Sequence, residues 1–89
     1  MTEIVLSSGF RKGFKRKVRG NKILESRFRD RAAIFENSPF DPRLKTHKLS
    51  GELDNLWSFS VDYDVRVIFS FMETNRVLFI DIGTHDEVY

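Results

Sequence analysis

Apolar positions along the chain change period twice, and these changes divide it into elements. Glu3-Ile-Val-Leu6 is a short apolar run ahead of Ser7-Ser8-Gly9, the pattern of a strand entering a helix cap. Phe10, Phe14 and Val18 then recur every four residues with bases between them, so a first helix would bury one narrow stripe and expose a cationic surface. Gly20-Asn21 ends it, and Asn21 is placed to cap a second helix whose buried side is marked by Leu24, Phe28, Ala32 and Phe35. Asn37-Ser-Pro39 stops that helix, which makes the pair a helical hairpin.

Residues 37–54 carry both prolines and no sustained period, so they read as a long loop, and loops of that length in a small domain are often functional. Beyond it the period becomes two. Leu56 to Val61 alternate, Asp62-Tyr63-Asp64 forms a turn, Val65 to Phe71 a strand, Glu73-Thr74-Asn75 a turn, and Val77 to Ile82 a last strand. The expectation is a single α+β domain over residues 1–89. It has a small antiparallel sheet and an N-terminal helical hairpin, in the order β-α-α-β-β-β.

Strand parity assigns faces. Val65, Val67, Phe69 and Phe71 would face the helices, with Arg66, Ile68 and Ser70 opposite. Trp57, Phe59 and Val61 oppose Ser58 and Ser60 in the same way. In the last strand Leu78, Ile80 and Ile82 form the inward set, leaving Val77, Phe79 and Asp81 outward. The open face then gathers Ser58, Ser60, Arg66 and Asp81. A last strand continuing in register past Gly83 would bring His85 and Tyr89 to the same side, unless the glycine bends the chain.

Composition narrows the classes. The chain has 89 residues and nine Phe, enough for one aromatic-rich core, and a domain of this size buries roughly 60–68% of its unfolded surface. With no cysteine it has neither disulfides nor a thiolate metal site, which suits a reducing cytoplasm. No apolar run approaches the ~18 residues of a membrane span, so a soluble, cytoplasmic protein without membrane association is expected. The net charge of +2 conceals an asymmetry, because residues 11–31 hold ten of the fifteen Lys and Arg. Such a dipolar chain can approach a polyanion by one face and a basic protein by another.

The order of elements, the DVRVIFSF strand with its arginine, and the closing IGTHDEVY resemble the RelE/ParE superfamily of toxin–antitoxin toxins, nearest to the RelE-like, histidine-using YafQ type. The resemblance implies a ribosome-dependent mRNA endoribonuclease that needs no metal or other cofactor, in which the ribose 2′-hydroxyl attacks the adjacent phosphate. Its implied partners are the ribosome, mRNA and a cognate antitoxin, with operator DNA a possible target of the toxin–antitoxin complex. By the same resemblance Arg66 would balance charge on the phosphate, while His85, His47 and Asp64 would share acid–base roles. Tyr89 would hold the scissile nucleotide. Lys45 and Lys48 match a region where other members cut RNA with lysines, and Arg11 and Lys15 on the basic first helix would contact RNA. Three positions depart from the histidine-using pattern: Ser60 stands for a histidine, Val65 for a tryptophan and Asp81 for an arginine. Read as residues alone, Arg66 could equally pair with Asp81 across the strands. A gyrase-binding ParE-like toxin, or a member that only binds its antitoxin, shares the same fold.

Overall fold

The computed structural model describes residues 1–49 and 55–89, so the end of the long loop, residues 50–54, lies outside the described residues. The order is β1 (Glu3–Leu6), α1 (Ser8–Lys17), α2 (Lys22–Asn37), a 3-10 turn (Pro42–Leu44), β2 (His47–Lys48), β3 (Trp57–Ser60), β4 (Val65–Glu73), β5 (Arg76–Thr84) and α3 (His85–Val88). The five strands form one sheet in the order β1-β5-β4-β3-β2. The α+β class and the helical hairpin are as expected. The meander β3-β4-β5 is antiparallel, and β1 joins it in parallel beside β5. Two short elements were not anticipated: β2 inside the long loop, and α3. Among the described residues no helix is long and apolar enough to cross a membrane.

Both helices of the hairpin begin where the sequence places their caps. Ser7 Oγ accepts the Phe10 N–H and Asn21 Oδ1 accepts the Leu24 N–H, each satisfying a donor that the first helical turn leaves without a partner. Their inward stripes meet the sheet through aromatic rings. Phe35 of α2 lies with its centroid 4.9 Å from Phe59, 5.0 Å from Phe69 and 5.4 Å from Phe79, and Phe10 of α1 lies 5.4 Å from Phe79. Phe35 thus ties α2 to three successive strands. Its truncation to alanine would remove about 3–5 kcal/mol, a large part of what a small domain possesses.

The last strand corrects the parity argument. Val77 and Phe79, expected outward, are fully buried in the core, while Leu78 and Ile80 are only partly buried. The cause is a bulge: Ile68 pairs with Asp81 but the next residue, Phe69, pairs with Phe79, so Ile80 is an extra residue on β5. The slip reverses the alternation and returns Ile82 to the core. Phe71 also departs from expectation. It is 41% exposed and stacks on Phe40 and Trp57 at the sheet end. On the opposite face Ser58 is not open but 0% exposed.

Beyond Leu6, β5 loses its parallel neighbour and α1 takes that place. Ser7 donates from its backbone N–H to Phe79 O and from its hydroxyl to Ile80 O, both at 3.0 Å. Farther along, α1 comes so near the strand edge that a Cβ on Gly13 would stand 2.8 Å from Ile82 O and 2.9 Å from Asp81 Oδ1. Gly13→Ala should therefore lower the unfolding free energy obtained from chemical denaturation by about 1–2 kcal/mol. The overpacking outweighs the ~1 kcal/mol that alanine gains in helix propensity. A stabilised variant would show that α1 does not rest on this edge.

Candidate active site

The turn between β3 and β4 is locked by one carboxylate: Asp62 Oδ1 accepts the N–H groups of Asp64 at 3.0 Å and Val65 at 2.8 Å. This turn, the outer side of α2 and the 3-10 turn surround a cleft of about 600 Å³. Arg27 and Arg31 line it from α2, Arg43 and Lys45 from the 3-10 turn and its end, and Ser60, Tyr63, Asp64 and Arg66 from the hairpin.

Fixed and free charges alternate around the cleft. Arg43 is held by Asp41 through Nε–Oδ1 at 3.0 Å and Nη2–Oδ2 at 2.9 Å, and Asp41 also accepts the Arg43 backbone N–H. The Arg43 side chain, followed by that backbone contact, lowers the Asp41 carboxyl from 3.8 to about 2. Lys45 closes the turn in the left-handed conformation, at φ 53°. Arg66 stands opposite Ser60 in the ladder and its Nη1 lies 3.4 Å from Ser60 Oγ. The competing reading of Arg66 as a partner of Asp81 does not hold, since Asp81 Oδ1 accepts the Ile82 N–H at 2.8 Å. Among the described residues Arg66 has no carboxylate partner.

The histidine and tyrosine near the C-terminus are placed by a helix, where a continued strand was considered. β5 ends at Thr84, whose hydroxyl accepts the Glu87 N–H while the Glu87 carboxylate accepts the Thr84 N–H. Lys17 of α1 adds an ion pair to Glu87 at 3.5 Å. The backbone contact from Thr84, ahead of the hydroxyl and Lys17, lowers the Glu87 carboxyl against a smaller opposing effect of burial. Gly83 is what lets α3 fold back, because a Cβ there would lie 2.9 Å from Glu87 Oε1 and 3.2 Å from Val88 Cγ1. The one turn of α3 brings His85 and Tyr89 edge to face, with centroids 4.3 Å apart.

Register relates this pair to the cleft. Arg66 pairs with Gly83 and Val65 with Thr84, so Asp64 in the turn before β4 and His85 at the start of α3 both adjoin that end of the ladder. Neither His85 nor Tyr89 lines the cleft. His47 opens β2 opposite Ser58, and its Nδ1 lies 3.0 Å from Lys45 O, tying it to a cleft residue through backbone. Lys48 lies opposite Trp57. Arg11 and Lys15 belong elsewhere, on a groove between α1 and α2 that Phe10, Phe14 and Phe28 also line. Of the residues nominated from sequence, Arg66, Asp64 and Lys45 line one cleft, and Arg27, Arg31, Arg43 and Tyr63, which were not nominated, line it with them. For the two α2 arginines the available signal was their four-residue spacing on the solvent side of a helix. Among the described residues no three His, Asp or Glu side chains converge as metal ligands.

A two-helix hairpin against a mixed five-stranded sheet is also the fold of several solved bacterial toxins. YafQ from E. coli superposes with a TM-score of 0.78 at 18% identity over 100% of this chain and 99% of that one. A metal-bound toxin from Helicobacter pylori superposes at 0.76 with 22% identity over the whole of both chains. YafQ in the E. coli DinJ–YafQ complex gives 0.70 at 20% identity, over 100% of this chain and 99% of that one. These likenesses establish the fold. No curated protein matches the sequence significantly. The model of the bacterial YafQ toxins of type II toxin–antitoxin systems matches residues 2–89, and the chain belongs to that family.

The Asp41–Arg43 clamp gives a pH prediction. A carboxyl lowered on folding contributes stability that is complete above its unfolded value and lost as pH falls through the folded one. The clamp should hold at neutrality and release between about 3.8 and about 2. Carboxyl-detected NMR should follow it, and an Asp41 midpoint near 3.8 would mean that Arg43 is not held.

Proposed function

We propose that this toxin is a metal-independent endoribonuclease that cuts mRNA on the ribosome and is neutralised by a cognate antitoxin. The observation that carries this reading is the guanidinium of Arg66: buried at Nε, hydrogen-bonded among the described residues to Ser60 Oγ alone, and lining a cleft rich in cations. A phosphate entering that cleft would meet a charge that stays on at any physiological pH and can grip two oxygens.

In the reaction, the ribose 2′-hydroxyl forms a bond to phosphorus while the bond to the 5′-oxygen breaks, leaving a 2′,3′-cyclic phosphate and a 5′-hydroxyl. A base removes the 2′-proton and an acid returns one to the leaving oxygen. Asp64 and His85 flank the same end of the β4–β5 ladder, one before Val65 and the other after Thr84, and are assigned these proton transfers, with His47, bonded to the Lys45 backbone, assigned a supporting role. Arg66 stabilises the charge that grows on the phosphate oxygens. Tyr89, packed on His85, offers a ring for the scissile nucleotide. Lys48, Arg11 and Lys15 are assigned to ribosomal RNA outside the cleft. The same reading puts the protein in the cytoplasm with its substrate, and lets the toxin–antitoxin complex sit on operator DNA.

The test is primer extension on mRNA in a reconstituted translation mixture containing EDTA-treated toxin. Arg66→Ala should lower cutting about 10³-fold or more, and His85→Ala by a smaller factor near 10², with the fold and ribosome association kept. Cutting by the Arg66 variant at the parental rate would refute the assignment. Intact mRNA with altered DNA supercoiling would replace the nuclease by a gyrase-binding toxin.

A further inference from the structure

One wall of the cleft has no part in the chemistry just described. Arg27 and Arg31 lie four residues apart on α2, on one side of the helix and about 6 Å apart along it. Arg27 has no carboxylate partner among the described residues. Arg31 pairs with its exposed neighbour Asp30 at 2.9 Å, a surface pair of small worth, and also acts at longer range on Asp41, which Arg43 already clamps. The whole cleft is lined by five cationic and two acidic side chains, and one of those acids, Asp62, is occupied by backbone donors. At its mouth Tyr63 is 98% exposed, a bare ring at the tip of a turn.

We propose that a single RNA strand runs through this cleft along α2, with Arg27 and Arg31 holding successive phosphates and Tyr63 stacking on a base. Cations along a groove with an exposed ring beside them are the two components of single-strand binding. An acidic protein segment would satisfy the cations equally, but it needs apolar surface to bury, and Val61, the aliphatic lining residue, is already fully covered. The ligand class rests on the nuclease reading; the binding test does not require cleavage.

The experiment measures fluorescence anisotropy of a labelled 2′-O-methyl RNA oligonucleotide, which lacks the nucleophile, against the full chain over a salt series. The double variant Arg27→Gln, Arg31→Gln should flatten the slope of log K against log salt by about 1.4, since each single-strand phosphate contact contributes about 0.7. Tyr63→Ser should weaken binding about 5- to 100-fold with the slope unchanged, and Tyr63→Phe should restore it. An unchanged slope in the double variant overturns the proposal, as does a Tyr63→Phe protein as weak as Tyr63→Ser. Loss of antitoxin neutralisation with RNA binding intact also overturns it, and assigns this wall to the antitoxin. Each of these failures leaves the Arg66 cleavage test standing, because no readout here depends on cutting.

Discussion

The pairing of β4 with β5 fixes nearly everything else in the molecule. Its register puts Arg66 beside Gly83 and Val65 beside Thr84, which sets the arginine, the hairpin turn and the start of α3 at one end of the sheet. The single extra residue at Ile80 is part of the same constraint. Without the bulge, Phe79 and Ile82 could not both face the helices, and either the ring that meets Phe35 and Phe10 or the residue beneath α1 would turn outward. A one-residue slip exchanges the faces of a strand, so core packing and site geometry are secured by the same rungs.

This also explains where sequence reasoning succeeded and where it failed. The helix caps at Ser7 and Asn21, the turn at Asp62, and the inward set Val65, Val67 and Phe69 were legible because each depends on local chemistry or an unbroken period. The faces of β5 were not, because Val77 to Ile82 is apolar at every position but Asp81, and a bulge leaves no mark in such a run. The fate of His85 was hidden for a related reason. Gly83 announced a change of direction, but only the packing of Val88 and Glu87 against it shows that the chain turns into a helix. The α2 arginines were visible as part of a basic segment. That they line a cleft with the β3–β4 turn depends on where α2 packs on the sheet, which periodicity does not encode.

The cleft's electrostatics follow from a division of labour among its charges. Asp41 and Asp62 are spent locally, one clamping Arg43 and the other closing a turn. Each carboxylate used in this way is removed as a competitor for the remaining cations. Arg66 benefits most directly: Asp81, its nearest acidic rival across the ladder, is folded onto its own backbone beside Gly13. Ser60 acts in the same direction, because a hydroxyl contact leaves the guanidinium's charge uncompensated.

The two halves of the site differ in how firmly they are held, and this bears on how the reaction could be organised. Arg66 sits near the start of a nine-residue strand but is paired on both sides, with Ser60 and Gly83, whereas His85 begins a four-residue helix that is too short to be stable alone. That helix depends on its capping box, on Lys17 and on the absence of a side chain at Gly83. On the nuclease reading proposed above, the cation is thus preorganised by the sheet, and the imidazole is positioned by contacts that a bound nucleotide can tighten. Catalytic hydrogen bonds commonly reach their working length only in the substrate complex. A toxin that acts only on mRNA seated in the ribosome would need such a site, with charge in place beforehand and proton transfer completed by the substrate itself.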